Sequence, residues 1–471
     1  MAQTFFFYDL ETSGLNPRQD RIMQFAGQRT DMNLEPIGDP YNLLVTLNDD
    51  TLPSPDALMV TGITPQKTVE EGYSEAQFAR MLSEEIFTPE TIAVGFNNIR
   101  FDDEFIRHLL WRNFHDPYEW SWKDGRSRWD LLDVVRLTRA LRPEGINWPL
   151  DDKGEPSNRL ELITSANGIA HENAHDALAD VTALIAVTKL IKQKQPQLYD
   201  YLLKMRDKKV VQQLVNMDDK KPFVYASGRY DKEFAKTTVA FPLTTSRNGG
   251  VVVYDLRYDP TPFVELSTEE LSKKIFASWE DRQAEDFVKL PVKELQYNRC
   301  PAVAPLGVLE QGDGWQKISL DLKTVQKHQH ILLNHPDFAE KLRTIFENKP
   351  AFKKLPDPEA QLYDGFLNDR DRIRVEVVRN ADERELADFH PEFQDERLAP
   401  LLLHYKARNF PRSLSEDDLA HWETWRARRL QAQLPGFMTA LHRLAPTATD
   451  EQRFILQELQ LWAESTLPAS D

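Results

Sequence analysis

The stretch FFFYDLETSGL, residues 5–15, places four aromatic residues directly before two carboxylates, Asp9 and Glu11. A short apolar run of this kind predicts a strand that is buried on both faces. Successive side chains of a strand point to opposite faces, so Asp9 and Glu11 share one face. A divalent cation would compensate these two like charges, and oxygen ligands favour Mg²⁺ or Mn²⁺. A solvated strand end is the alternative for the pair taken alone.

Residues 1–195 alternate strand-like and helical segments. TIAVGFN, residues 91–97, is a second candidate for a buried strand. FDDEFIRHLLWRNF (101–114) and ALADVTALIAVTKLIKQ (177–193) repeat apolar residues at helical spacing. This alternation predicts an α/β layer architecture, in which ligands bind at the carboxyl ends of the strands.

The remainder of the chain changes character twice. Between about residues 220 and 325, short apolar runs are separated by turn residues, which predicts a small barrel or curled sheet. Capping-box spacings predict helix starts at Ser267 and Ser415, and the chain is helical from about residue 352. We therefore predict three domains, with bounds at 1–195, 196–349 and 352–471.

Composition limits the classes of protein to consider. The formal net charge of −17 argues against nonspecific adhesion to anionic membranes or duplex DNA, although a local basic groove is compatible with it. No apolar run approaches the roughly 20 residues that span a bilayer, and the start MAQTFFFYDL lacks the basic region of a signal peptide. We expect a cytoplasmic protein without membrane association. The single cysteine, Cys300, has no internal disulfide partner and is expected to be a small buried side chain.

Two later segments supply further acids. VGFNNIRFDDEF places Asp102 at the start of a predicted helix, with Asp103 beside it as an alternative ligand. NAHDALADV supplies His175 and Asp180. Five residues advance a helix by about 500°, so His175 fits better on the loop or first turn before the helix that carries Asp180.

Two neighbours of this third segment receive structural interpretations. Asp176 is predicted to cap the helix N-terminus rather than to bind metal. His171 is predicted to be a surface or loop residue.

The three segments resemble the motifs of the DEDD exonucleases, in the subclass whose final motif carries histidine. The matching patterns are Asp9-x-Glu11, Gly95-x-Asn97-x-x-x-Phe101-Asp102 and His175-x4-Asp180. TGITPQ, NIRFDDE, SRWDLLDV and LRPEGINWP extend the similarity to the exonuclease I family over essentially the whole chain. The resemblance implies a ribonuclease H-like exonuclease domain with a mixed sheet, then an SH3-like β-barrel domain and an α-helical C-terminal domain.

The resemblance also implies an activity: processive, Mg²⁺-dependent 3′-to-5′ hydrolysis of single-stranded DNA to 5′-mononucleotides, in DNA repair and recombination. Asp9, Glu11, Asp102 and Asp180 would hold two Mg²⁺ ions, which Mn²⁺ could replace, and His175 would be the general base. The rival functions are an exoribonuclease or proofreading module of the same superfamily, and an inactive single-strand-binding scaffold.

Partners and DNA contacts follow from the same resemblance. The implied partners are single-stranded DNA and the acidic C-terminal tail of single-stranded-DNA-binding protein, for which Arg142 and Lys221 are candidate receptors, and we expect a monomer. The candidate DNA-contacting residues are Glu11, Arg107, Tyr118, Trp122, Arg136 and Arg159. Arg159 is equally well read as an ordinary arginine at a helix start, and tryptophans in such a run are more often core residues than base platforms.

Overall fold

The computed structural model describes residues 2–171, 176–247, 249–349 and 354–467. The chain divides by contacts into two compact units. The first unit comprises residues 1–128, 171–185 and 353–471, and the second unit comprises residues 129–170 and 186–352. The C-terminal region therefore shares a unit with the chain start, although more than 160 residues of sequence lie between the last two segments of that unit.

The strands form two sheets, in the orders β3-β2-β1-β4-β5 and β10-β6-β7-β8-β9. In chain order they are β1 (Thr4–Thr12), β2 (Ile22–Thr30), β3 (Tyr41–Leu44), β4 (Thr91–Gly95), β5 (Ser127–Asp130), β6 (Phe223–Ala226), β7 (Thr237–Thr245), β8 (Val251–Asp255), β9 (Val292–Leu295) and β10 (Ala302–Pro305). The strands predicted from FFFYDLE, TIAVGFN and the apolar runs of the middle region are confirmed.

The helices are α1 (Pro55–Thr61), α2 (Pro65–Glu71), α3 (Glu75–Met81), α4 (Asp102–Arg112), α5 (Leu131–Leu141), α6 (Leu160–Ala166), α7 (Ala177–Lys194), α8 (Pro196–Lys204), α9 (Lys208–Leu214), α10 (Thr261–Val264), α11 (Thr268–Ile275), α12 (Gly314–Lys317), α13 (Leu322–Leu333), α14 (Pro336–Glu347), α15 (Asp369–Asn380), α16 (Glu383–Asp388), α17 (Leu398–Asn409), α18 (Glu416–Leu444) and α19 (Asp450–Thr466). The capping boxes predicted at Ser267 and Ser415 are confirmed at the starts of α11 and α18. None of the helices within the described ranges is both long and apolar enough to cross a membrane.

Strand β1 is the centre of the first sheet. It pairs antiparallel with β2 and parallel with β4. Phe5, Phe6, Phe7 and Tyr8 are fully buried, which explains why this aromatic run forms a strand covered on both faces. The mixed sheet brings the carboxyl ends of β1 and β4 to the same edge.

The turn after β4 requires small or permissive residues. A Cβ atom on Gly95 would lie 2.5 Å from Cβ of Asn98, and Asn97 adopts a left-handed backbone with φ of 70°. A short 3₁₀ turn over Asn98–Arg100 then leads directly into α4. Asp102 therefore starts a helix at the sheet edge where β1 presents its acids.

The C-terminal helices pack against the exonuclease-like sequence within the first unit. Leu430, Leu459 and Trp462 share an apolar core with Met23 and Leu58. A second core joins helices α15 to α17 to the end of α4. The helical C-terminal region thus completes the hydrophobic core of the residues that carry the acids.

Buried charges reinforce this packing. Arg21 Nη2 lies 2.8 Å from Glu359 Oε2 and Arg408 Nη2 lies 2.8 Å from Asp50 Oδ2, with all four side chains at most 2% exposed. Arg408 also bonds Glu359. Burying a charge is unfavourable unless it is paired. The N-terminal segment and the C-terminal region therefore each supply the charges that neutralise buried charges of the other.

The second unit contains the antiparallel sheet, in which neighbouring strands pair in sequence except for β10, which returns beside β6. Its core is formed by residues of both sheet and helices, among them Phe223, Val253 and Val211. Cys300 is buried, as predicted.

Candidate active site

Three carboxylates of the first unit converge at the edge where β1 ends. One oxygen from each of Asp9, Glu11 and Asp180 lies within 4.8 Å of the other two, and all three side chains are half-buried. Asp9 and Glu11 share the face of β1 predicted from strand alternation, and Asp180 comes from the first turn of α7. Residues that are 171 positions apart in sequence therefore form one oxygen-rich site.

The electrostatics of this cluster indicate a cation site. Burial, followed by the charges of Asp102 and Asp180, raises the pKa of Asp9 well above its ordinary value. Burial, followed by the charges of Asp9, Asp180 and Asp176, raises the pKa of Glu11 to about 9. Carboxylates that mutually disfavour ionisation are stabilised by a bound divalent cation, and an all-oxygen donor set suits Mg²⁺ or Mn²⁺. The residues present therefore fit the implied metal.

Asp102 and Asp103 have different environments. Asp102 is 5% exposed and its charge raises the pKa of Asp9, so it belongs to the same electrostatic cluster. Asp103 is fully buried and accepts hydrogen bonds from Tyr8, Asn98 and Arg128. Protein donors thus occupy both oxygens of Asp103, which makes Asp103 a poor candidate for a metal ligand.

The third segment is partly described. His175 lies outside the described residues, so its role as general base stays a prediction. Asp176 Oδ1 accepts from the backbone N–H groups of Leu178 and Ala179, which confirms its interpretation as a cap. The loop alternative predicted for His171 is confirmed, although its side chain is only 5% exposed and its Nε2 lies 2.6 Å from Asp180 Oδ1. His171 lies in the predicted loop but turns inward, because the Asp180 carboxylate provides a hydrogen-bond partner.

The run of aromatic residues after α4 divides between core and surface. Trp120 and Trp129 are buried, at 5% and 1% exposed, whereas Trp122 is 64% exposed. Tyr118 is half-buried, and the Arg107 guanidinium lies 5.6 Å from its ring centroid. Of the tryptophans in this run, Trp122 thus has the exposure that a base platform requires.

Two aromatic residues that the sequence interpretation missed lie against this surface. The Phe366 ring lies 6.1 Å from Tyr118 and is 83% exposed. Tyr363 donates a hydrogen bond of 2.5 Å to Glu104, and Arg107 Nη1 lies 3.4 Å from the Tyr363 hydroxyl. We call Arg107, Tyr118, Tyr363 and Phe366 the aromatic patch. No local sequence pattern predicts that these residues lie together, because Tyr363 and Phe366 follow α4 by more than 240 residues.

Arg136 and Arg159 belong to the second unit. Arg136 Nη1 lies 2.5 Å from Asp133 Oδ1, and its guanidinium packs against Gly228. Arg159 precedes α6, is 67% exposed and forms an ion pair with Glu161. The position of Arg159 at a helix start agrees with its structural interpretation, and DNA contact by either arginine stays a prediction.

Family models match three consecutive segments of the chain. Residues 6–188 match an exonuclease model, residues 206–348 the exonuclease I SH3-like domain and residues 356–466 the exonuclease I C-terminal domain. Exodeoxyribonuclease I of Escherichia coli (strain K12) is 39% identical over 465 residues, which covers 98% of this chain and 97% of that protein.

Solved structures agree with these matches. Exonuclease I from Methylocaldum szegediense has a TM-score of 0.94 at 40% identity, covering 99% of this chain and 100% of that chain. A zinc-bound complex of Escherichia coli exonuclease I with single-stranded DNA has a TM-score of 0.94 at 38% identity, with the same coverage. The mixed-sheet exonuclease domain, SH3-like domain and C-terminal domain therefore occur here in the predicted order.

Proposed function

The chain belongs to the exonuclease I family, and from this membership we propose that it hydrolyses single-stranded DNA from the 3′ end with two Mg²⁺ ions. It is an exodeoxyribonuclease, and its activity depends on a divalent metal. The observation that carries the assignment is the convergence of Asp9, Glu11 and Asp180 within 4.8 Å beside the buried Asp102.

Asp9, Glu11, Asp102 and Asp180 would hold the ions. When bound, divalent ions neutralise charge on the phosphoryl oxygens and lower the pKa of the attacking water. The rigid strand β1 and the start of α4 keep the acids in place, so little reorganisation accompanies binding. His175 would accept the proton of the attacking water, since neutral imidazole has a suitable pKa near neutrality. Mn²⁺ has the same ligand preferences and would substitute for Mg²⁺.

The aromatic patch supports binding of the DNA strand. Single strands are held by rings that stack on bases and by cations that contact phosphates, and the patch combines three rings with Arg107. Trp122 adds an exposed ring on the same segment as Tyr118. We place the strand's final nucleotides on this surface because Arg107 follows Asp102 by five residues, a rise of only about 7.5 Å along α4. Arg136 and Arg159 are the corresponding candidates in the second unit.

Further properties extend this proposal. The family's relation to DNA repair and recombination, and processive release of 5′-mononucleotides, are proposed for this chain, as are a monomeric state and cytoplasmic residence. Single-stranded-DNA-binding protein is the proposed partner through its acidic tail. Lys221 is 77% exposed and lies 3.3 Å from Asp219, and the Arg142 guanidinium bonds Gln311, so the tail would compete with these partners.

A labelled-substrate assay tests the proposal. Purified chain is incubated with 5′-labelled single-stranded DNA, duplex DNA and RNA, in Mg²⁺ or in EDTA. We expect shortening of single-stranded DNA from its 3′ end, dependence on Mg²⁺ and loss of activity in Asp9→Ala and His175→Ala. Asp450→Asn is the matched control, because Asp450 is 96% exposed on α19 and its loss should leave activity unchanged.

Four outcomes would contradict the proposal. Activity in EDTA, or equal activity in Asp9→Ala, would remove the metal mechanism. Preference for RNA would favour the exoribonuclease alternative. Binding of single strands without hydrolysis under all conditions would favour the scaffold.

A further inference from the structure

A buried hydrogen-bonded group includes the chain neighbours of Asp9 and Asp102. Asp103 is fully buried. Its Oδ1 accepts from the Tyr8 hydroxyl and, at 3.2 Å, from Asn98 Nδ2. Its Oδ2 accepts from the Arg128 guanidinium. We call Tyr8, Asn98, Asp103 and Arg128 the Asp103 clamp.

The clamp links the chain neighbours of two acids in the cluster. Tyr8 immediately precedes Asp9 on β1, and Asp103 immediately follows Asp102 on α4. Successive strand residues face opposite sides of the sheet, so Tyr8 points into the protein while Asp9 points to the cluster. The bond from Tyr8 to Asp103 therefore fixes the separation of the two backbones that carry Asp9 and Asp102.

The first turn of helix α4 has no side-chain N-cap. Its N-cap residue, Phe101, has no side chain that can accept from the first turn, and its backbone has φ of −128° and ψ of −78°. Caps normally supply such restraint through a Ser, Thr, Asp or Asn side chain. Here the Asp103 side chain anchors the first turn to β1 and, through Arg128, to β5.

The chemistry of the clamp suits a fixed support. The Tyr8 hydroxyl donates to the Asp103 carboxylate, and both side chains are fully buried. Asp103 and Arg128 neutralise each other inside the protein, as buried charges require. The proposed hydrolysis assigns no role to Tyr8, Asp103 or Arg128.

We propose that Asp103 is a positioning residue for the metal site, acting through Tyr8 and Arg128 to hold Asp102 opposite Asp9. The inference rests on the proposed two-metal function and adds to it a residue that contacts neither metal nor DNA. Partners that orient metal ligands typically change metal affinity or activity by about 10–100-fold when they are removed. Loosening the clamp should therefore weaken metal binding more than it weakens DNA binding.

The test compares Asp103→Asn and Tyr8→Phe with a matched variant, Glu75→Gln. Asp103→Asn keeps the shape of the side chain but removes its charge, and Tyr8→Phe removes only the hydroxyl. Glu75 is also buried, and it pairs at 2.6 Å with Arg112. Arg112 is the last residue of α4, at the opposite end from Asp103. Loss of the Glu75 charge should lower the stability of the fold without changing the positions of Asp9 and Asp102.

Mn²⁺ binding is measured by electron paramagnetic resonance, single-stranded DNA binding in EDTA by fluorescence anisotropy, and the melting temperature by fluorimetry. We expect the Mn²⁺ dissociation constant to rise at least about tenfold in Asp103→Asn and by a smaller factor in Tyr8→Phe. DNA affinity in EDTA should be unchanged in both variants, and Glu75→Gln should bind Mn²⁺ as the native chain does.

Native Mn²⁺ affinity in Tyr8→Phe and in folded Asp103→Asn would overturn the inference, whatever happens to the melting temperature. If Asp103→Asn does not fold, Tyr8→Phe decides alone. A native chain that binds no Mn²⁺ would overturn the proposed metal site itself, and the positioning role with it, so the two failures are distinguishable.

Discussion

Replacing Glu359 by Gln should destabilise the first unit by about 3–5 kcal/mol, because it breaks a fully buried ion-pair group. Glu359 Oε2 lies 2.8 Å from Arg21 Nη2, and its Oε1 lies 2.5 Å from Arg408 Nη2 and 2.8 Å from His404 Nδ1. Burial alone would raise the pKa of Glu359, yet Arg408 and Arg21 hold it well below its ordinary range. The charge is thus strongly favoured in the folded chain. An amide would leave the buried Arg21 and Arg408 guanidinium groups to share Asp50 with Arg429.

Urea and thermal unfolding, followed by tryptophan fluorescence, measure the effect. Trp425 is a suitable reporter because its ring centroid lies 4.0 Å from that of His404. The matched control is Arg443→Gln, which removes the 2.6 Å pair with Asp56 between the same two regions of chain. Both members of that pair are more than half exposed, so its loss should cost about 1 kcal/mol or less. If Glu359→Gln is as stable as Arg443→Gln, the buried charges do not hold the C-terminal helices in place.

Phe366→Ala should weaken single-stranded DNA binding in EDTA by about 1–3 kcal/mol, the contribution of one stacked base, and unchanged anisotropy titrations would exclude the ring from the DNA path. Glu11→Gln should lower kcat by at least about tenfold, the smallest loss expected even for a residue that only supports a metal ligand, and a native rate would remove Glu11 from the metal ligands. Burial raises the pKa of Asp255 to about 6. The unfolded chain therefore releases this proton at a lower pH than the folded chain does. As a result, the free energy of unfolding falls as pH rises from about 4 to 7. Asp255→Asn lacks this loss, and its stability relative to the native chain should therefore grow by up to about 3 kcal/mol over that range, whereas a constant difference in urea midpoints would contradict the reasoning.

Local sequence patterns predicted most of the secondary structure near the site. The aromatic run before Asp9, the capping pairs at Ser267 and Ser415, and the helical period after Asp102 each depend on residues within one or two turns of one another. Alternation along β1 was sufficient to place Asp9 and Glu11 on one face. Such short-range features are expressed in the fold because few alternative packings satisfy them.

Local patterns were less informative about side-chain partners. His171 was expected at the surface or in a loop, and its own segment gave no sign of its contact with Asp180. The different surroundings of Asp102 and Asp103 depend on the positions of Tyr8 and Arg128. These partners come from other strands and helices. No spacing within a single segment specifies which of two adjacent carboxylates turns inward.

The sequence by itself determined the order of acids, the α/β start, the β-rich middle and the helical end, and through its motifs the exonuclease I family. Only the tertiary structure decided that residues 353–471 share a compact unit with residues 1–128, that Phe366 lies beside Tyr118, and that the Asp103 carboxylate bonds Tyr8 and Arg128. The physical reason is distance along the chain. Periodicity and capping act over a few residues, whereas the pairing of buried charges and the packing of rings join residues hundreds of positions apart, and their geometry exists only once the chain has folded.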